Sequence, residues 1–479
     1  MTVTLALCAA AALAQEPAGE MFDPDAPPLV AEPSALDERF QVTRLDGGPE
    51  EMAPPFAPMF VTGQLDNGLT VSVLAAPDMP VVATQVWVQV GSAHEAPSEA
   101  GFAHLFEHLM FGATTRYDKE AYSRHHTTHG GNENAYTAFD NTVYISEIGP
   151  QWHDPVLVFE ADRMVNLVLD AENLANEQKI VTEELRLRTE NNPLARLLSP
   201  ALEALFGEHP YGHSPAGTKA DIANADLELV KKFYDGYYHP ANMHLVVVGP
   251  VDAPTVVRRA EALFGPTEKQ RLVPPEVPAL AGWDFPERVT LTEDVPPIKV
   301  AGAVYVGPTR QDPDYWAWKV MVEMLAGGEL DRFREELVTE RGKAVEAATI
   351  AEELRAGGIL AFGSINLPFR SQRGAFKHLH AAVDGLDGAD WLSQANLDTA
   401  RRRLLRDTLE ARYYAADMAD AIGQAWSWQG DPSLALGGAT EAIEAVTLAQ
   451  VRTAWQTWVM DATPVELFVK RGKAQEVEP

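Results

Sequence analysis

Seven prolines stand between Pro266 and Pro297 of this 479-residue chain: 266, 274, 275, 278, 286, 296 and 297. Proline lacks an amide donor and fixes φ, so no helix or central strand runs through such a stretch. The chain is therefore cut into two parts, and the order of elements restarts after the cut. Before it, the Asp66-Asn67-Gly68 turn precedes an alternating run, Leu69–Leu74. A second strand is expected over Val81–Val90 and a helix over Ala100–Phe111, capped by Ser98 and ended by Gly112. Ala135–Ser146 reads as a strand, about 153–192 as long helices, and His244–Gly249 as a strand. After the cut come a strand, Ile298–Val306, a helix, Tyr315–Ala326, and the pair Gly327-Gly328. A shift of about 215 residues lays strand 81–90 on 296–305 and Phe111-Gly112 on Ala326-Gly327.

The fold expected is α+β: two related domains joined by a Pro-rich linker. Residues 58–265 form the first domain, 266–295 the linker and 296–475 the second domain. The Pro-, Ala- and acid-rich stretch 15–57 reads as an extended arm, with ordered structure starting near Phe60. The apolar run Leu5–Leu13 and the small residues before Gln15 read residues 1–14 as a signal peptide without a positive leader, pointing to a periplasmic or secreted protein. No run reaches the ~18 apolar residues of a membrane span.

Nine of the 13 histidines lie between His94 and His213, and among them stands His104-Leu105-Phe106-Glu107-His108. Residues four apart share a helix face, so His104 and His108 can hold one ion between them. Glu107 borders that face and can reach a water on the ion without being a ligand. Catalytic zinc takes three protein ligands and keeps one position open. The third is sought in Glu177–Glu184, whose end residues are two helical turns apart; Glu183 and Glu184 compete for the role, and spacing does not choose. Under the shift of about 215, His104, Glu107 and His108 fall on Lys319, Val322 and Glu323, so the second domain carries no matching metal site. His125, His126 and His129 look like a second cluster but read as solvated loop residues.

Charge excludes some partners. Lys plus Arg number 38 against 69 Asp plus Glu, a net charge of −31, which repels nucleic-acid phosphates and anionic lipid. The one cysteine, Cys8, excludes a disulfide framework and a CxxC site.

Gly101–Gly112 resembles the signature of the pitrilysin-type (M16, inverzincin) zinc peptidases. Gly131–Thr137 with Asp140, Thr142 and Tyr144 is similar to the strand that follows it in that family. Glu177–Glu184, His209-Pro210-Tyr211-Gly212, Gly217 and Tyr237–Met243 resemble further family landmarks. The resemblance implies two M16-type domains, each a mixed sheet flanked by helices. It implies one Zn2+ per chain held by His104, His108 and Glu184, with Glu177 orienting the site from behind and Glu107 as general base. Asn134, Ala135, Tyr136 and Thr137 would pair with substrate backbone as an added edge strand. Activity is then that of an endopeptidase on oligopeptides or unfolded segments.

One departure stands out. Self-sufficient relatives carry an Arg and a Tyr, seven residues apart, in the second domain; beside Glu340–Val345 those positions are Val338 and Val345. Valine neither donates a hydrogen bond nor carries charge. The resemblance then implies a zinc-bearing subunit of a two-chain enzyme, similar to bacterial M16B peptidases and the mitochondrial processing peptidase beta subunit. A homologous subunit, in a heterodimer or a homodimer, would supply the pair. The competing reading is a non-catalytic peptide-binding or assembly subunit; a complete set of ligands plus Glu107 favours the enzyme. Structural zinc is disfavoured because structural sites are closed by four ligands.

Overall fold

The computed structural model describes residues 36–44, 58–96, 99–191, 195–267, 275–328, 331–387 and 390–472. The signal-like segment 1–14, most of the arm and Ser98 lie outside them. Two mixed sheets organise the chain. The first contains β1 (Phe40–Arg44), β2 (Met59–Gln64), β3 (Thr70–Ala75), β4 (Val82–Val88), β5 (Asn132–Thr137), β6 (Thr142–Ile148) and β7 (Met243–Gly249), in the order β1-β2-β3-β7-β4-β6-β5. The second contains β8 (Arg288–Glu293), β9 (Lys299–Gly307), β10 (Glu346–Leu354), β11 (Gly357–Asn366) and β12 (Val465–Arg471), in the order β10-β11-β9-β12-β8.

The repeat seen in sequence is a repeat of topology. The run β3-β7-β4-β6-β5 and the run β8-β12-β9-β11-β10 are one arrangement, with a single parallel pair at the same place in each: β3 with β7, and β8 with β12. Among the described residues only β1 and β2 are extra.

Several elements differ from the sequence reading. Ala135–Ser146 is not one strand but the hairpin β5–β6, turned at Ala138–Asn141, where the Ala138 amide donates to the Asn141 carbonyl at 2.8 Å. Ordered structure begins before Phe60, because β1 in the supposed arm pairs antiparallel with β2. The supposed linker contains β8, whose partner β12 lies almost 180 residues away in sequence, so local composition hid it. The long helices expected over about 153–192 are present, as His153–Asn166 and Ala171–Asn191.

Strand β4 is buried at every position. Its two faces meet different layers: Val82, Val86 and Val88 join the core under helix Phe102–Leu109, while Ala83 and Trp87 pack beneath helix Ala415–Gln429. Burial on both faces is why β4 reads as near-continuous hydrophobic sequence. Helix Ala415–Gln429 comes from the second half of the chain yet covers the first sheet. Gly423 permits this, since a Cβ there would lie 2.0 Å from the Trp87 ring. Gln85 donates to the Ala416 carbonyl at 3.1 Å, and the Tyr136 hydroxyl donates to Asp420 Oδ1 at 3.0 Å.

A second joint lies at the β5–β6 turn. Asp140 accepts from the Tyr211 hydroxyl at 2.8 Å and from the Arg355 amide at 3.1 Å, and the Ala356 amide donates to Tyr211 Oη at 3.2 Å. Both joints hold the hairpin that carries β5. Among the described residues that strand pairs with β6 alone and forms the rim of its sheet.

Candidate metal centre

The helix Phe102–Leu109 places apolar side chains on one side and the histidines on the other. Phe102, Ala103, Leu105, Phe106 and Leu109 enter the core, where Phe106 meets Tyr234 and Tyr238 at ring-centroid distances of 5.4 and 4.4 Å. His104 and His108 come together one turn apart, ring centroids 5.0 Å apart and edge to face. The helix starts at Gly101, with φ +87°, and not at the expected Ser98 cap. Its first amides are held by Glu95, which accepts from Gly101 N at 2.8 Å and Ala103 N at 2.7 Å. Full burial pushes the Glu95 carboxyl well above its ordinary range, against the pull of those two amides.

Helix Ala171–Asn191 runs beside it and supplies two carboxylates. Glu184 Oε2 lies 3.4 Å from His108 Nε2 and 3.8 Å from His104 Nε2. Glu183 points outward, 55% exposed, in an ion pair with Arg186 at 2.6 Å. The alternative that spacing left open is therefore resolved in geometry: Glu184 faces the histidines and Glu183 faces solvent. Glu177, two helical turns before Glu184, is buried. Its Oε2 lies 3.9 Å from His108 Nδ1, and its Oε1 accepts from Lys119 Nζ at 2.7 Å. Glu107 Oε2 accepts from the Thr137 hydroxyl at 2.6 Å.

The ligand atoms of His104, His108 and Glu184 all lie within 4.8 Å of one another. A tetrahedral set with ~2.1 Å bonds spaces its donors about 3.4 Å apart, so two imidazoles and a carboxylate at these distances fit a zinc ion with small adjustments. Among the described residues no second group of three His, Cys, Asp or Glu side chains gathers in this way. Burial disfavours charge on His108, but the hydrogen bond to Glu184 and the fields of Glu107, Glu184 and Glu177 outweigh it and raise its pKa.

The residues expected to meet substrate lie alongside. Asn134 and Ala135 sit mid-strand on β5 at the sheet rim, Tyr136 is turned toward Asp420, and Thr137 is turned toward Glu107. The cluster His125, His126 and His129 was expected in a solvated loop; it lies on the helix Ala121–His129, and His125 and His126 are buried. His126 Nε2 and Ser146 Oγ are 2.6 Å apart, His125 Nε2 is 2.9 Å from the Trp152 carbonyl, and His129 Nδ1 is 2.8 Å from the His125 carbonyl. Of these contacts, His126–Ser146 ties the helix to β6, His125 reaches the Trp152 carbonyl just beyond the hairpin, and His129 bonds back within its own helix. The positions of the missing pair lie in the second domain: Val338 packs against its core and Val345 is 52% exposed. Arg341 is paired with Glu336, and Arg334 with Glu346, each at 2.6 Å. Among the described residues no helix is long and apolar enough to cross a membrane.

Glu95 was not singled out in the sequence. It acts through backbone amides, and the only trace it leaves there is an acidic residue a few positions before the motif helix.

The chain is similar to known zinc proteases in sequence and in fold. Residues 70–219 match the family described as Insulinase (Peptidase family M16), and residues 224–404 match the Peptidase M16 inactive domain. The zinc protease PqqE of Helicobacter pylori is 26% identical over 394 residues, 80% of this chain and 88% of that protein. An uncharacterized zinc protease of Rickettsia bellii is 30% identical over 205 residues, 43% of this chain and 50% of that protein. The crystal structure of a protease from Helicobacter pylori shares the fold with a TM-score of 0.77 at 24% identity, covering 86% of this chain and 99% of that one. A peptidase M16 inactive domain structure from Pseudomonas fluorescens does so with a TM-score of 0.72 at 18% identity, covering 87% and 99%.

Proposed function

Because the chain belongs to the M16 peptidase family, its two family domains spanning residues 70–404 in sequence, we propose that it is the zinc-bearing subunit of an endopeptidase acting on oligopeptides or unfolded segments. The observation that carries this reading is the convergence of His104, His108 and Glu184 with Glu107 alongside. His104, His108 and Glu184 would hold one Zn2+, with Glu177 keeping His108 in place. When bound, the ion supplies a Lewis acid that polarises a peptide carbonyl and makes water a nucleophile near neutral pH. Glu107 takes the proton from that water and delivers it to the leaving amine. Thr137 holds one oxygen of Glu107 while the rest of β5 offers its open edge to substrate backbone. In-register pairing with β5 would lay the scissile bond beside the base.

Partner dependence is the second part of this reading. Val338 and Val345 offer no charge or donor, and Arg341 and Arg334 are engaged with carboxylates of their own domain. A homologous subunit would supply the Arg/Tyr pair, closing a chamber that admits unfolded chain and excludes folded protein. Export to the periplasm, carried by the apolar stretch Leu5–Leu13, is also part of the proposal.

The test is to purify the chain, measure bound zinc, and assay hydrolysis of a mixed oligopeptide pool beside Glu107→Gln. The expected result is one zinc per chain and activity only when the homologous subunit is added. Activity of the chain alone would overturn the partner requirement. Inactivity with both subunits present would favour a non-catalytic peptide-binding role.

A further inference from the structure

The motif helix has eight residues, too few to hold its own position in water, so something else sets where its histidines stand. Two independent features converge on its first turn. The first is Glu95, whose two oxygens take the amides of Gly101 and Ala103 at 2.8 and 2.7 Å. These are among the amides that a helix start leaves without a carbonyl partner, and Ala103 directly precedes His104. The second is the loop His213–Gly217. Gly217 has φ +64°, and a Cβ on it would lie 2.7 Å from Gly101 Cα; a Cβ on Gly101 would lie 2.9 Å from Gly217 Cα. The two backbones are in direct contact. At the other end of the same loop His213 Nδ1 lies 3.6 Å from Glu95 Oε2.

His104 and His108 ride on this helix, whereas Glu184 rides on Ala171–Asn191. The spacing of the three donors therefore depends on how one helix is set along the other, and metal affinity is sensitive to a few tenths of an ångström.

We propose that Glu95 is a positioning residue of the metal centre: it holds the first-turn amides while the His213–Gly217 loop bears on Gly101, and together they fix His104 and His108 opposite Glu184. This rests on the reading that the three donors bind zinc. Glu95→Gln retains one acceptor oxygen but turns an NH2 toward an amide hydrogen. Gly217→Ala pushes on Gly101 without altering the carboxylate.

The experiment measures zinc affinity of the purified full chain by competition with a chromogenic chelator, beside thermal unfolding of the zinc-free chain and amide exchange across 101–109. Glu95→Gln is expected to bind zinc 10- to 100-fold more weakly than the parent while still unfolding cooperatively, with faster exchange at Gly101 and Ala103. A lowered melting temperature with zinc affinity within twofold of the parent would mean a merely structural role and overturn the proposal. Should Glu95→Gln fail to fold, Gly217→Ala takes its place; a parent-like zinc affinity there overturns it equally. If the parent itself binds no zinc tightly, the zinc reading fails first and takes this proposal with it.

Discussion

The Thr137 hydroxyl donates a 2.6 Å hydrogen bond to Glu107 Oε2, joining the rim strand of the first sheet to the acidic residue between the two histidines. One oxygen of Glu107 is thereby fixed by the strand proposed to receive substrate. Thr137→Val keeps the shape and removes the donor. It should lower kcat by about tenfold with zinc content unchanged, whereas Glu107→Gln should lower it by 10²–10⁴, the range for losing a general base. Steady-state kinetics with metal analysis checks both, and equal effects would place the proton transfer elsewhere.

Glu183 and Glu184 are adjacent in sequence and opposite in environment. Glu184→Gln should reduce zinc affinity at least 100-fold. Glu183→Gln removes only an exposed, solvent-screened ion pair with Arg186 and should leave zinc affinity within about twofold. Chelator competition on the two variants separates them, and the reverse ranking would displace Glu184 as a ligand.

Zinc affinity should fall steeply in mild acid. In the metal-free chain the carboxylates around His108 outweigh its burial and raise its pKa above 6.5. A proton on His108 must leave before the ring can ligate. Below that raised pKa, apparent affinity should drop about tenfold per pH unit from this group alone, and above it the dependence should flatten. Affinity titrated between pH 5 and 8 tests the sign; a pH-independent affinity contradicts it.

The histidine pair was legible because helical periodicity is a local property that survives without knowledge of the rest of the chain. The choice between Glu183 and Glu184 was not, because neighbours on a helix differ by about 100° in direction and only the packing partner decides which is inward. Strand β8 was hidden for a different reason: Val289 and Leu291 alternate correctly, but the partner strand is supplied by the last segment of the fold. The buried His125 and His126 were misplaced because polar sequence resembles a loop until Ser146 and the Trp152 carbonyl arrive to receive the rings. What the sequence conceals in each case is tertiary satisfaction of a polar group.

The second domain carries a partly buried ion pair of its own. Lys319, on which the sequence shift of about 215 lays His104, is paired with Glu353 on β10, and the Tyr315 hydroxyl donates to the same carboxylate at 2.5 Å. Burial alone would raise the Glu353 carboxyl, but Lys319 and Arg310 hold it down at about 2. Lys319→Met should destabilise the chain by about 3 kcal/mol at neutral pH, the low end for breaking a buried pair, since about a quarter of each side chain meets solvent. Because the folded pKa is depressed, this contribution is present above the ordinary 4.5 and is lost as pH falls toward 2. Denaturant unfolding should show the loss at pH 7, with much of it recovered in Lys319→Met/Glu353→Leu; no loss at pH 7 would mean the pair contributes nothing.

Asp420 couples the covering helix to the rim strand through the Tyr136 hydroxyl, and it is strained electrostatically. Burial lifts its pKa from 3.8 to about 6, with Asp417 adding to the rise and Tyr136 and Arg310 opposing it. The folded state therefore binds more protons than the unfolded state between those values, and stability falls as pH rises through about 6. A shift of this size corresponds to about 3 kcal/mol at full burial; partial contact with water reduces it to about 2. Asp420→Asn keeps an acceptor for Tyr136 and carries no charge to bury. It should stabilise the chain by about 2 kcal/mol at pH 8 and by almost nothing below pH 4, so that its advantage appears between the two. Melting temperatures of parent and variant across pH 4–8 provide the test. A constant difference would mean that lost or gained packing, and not ionisation, distinguishes them, while a variant less stable at pH 8 would mean that charged Asp420 holds Tyr136 more tightly than its burial costs.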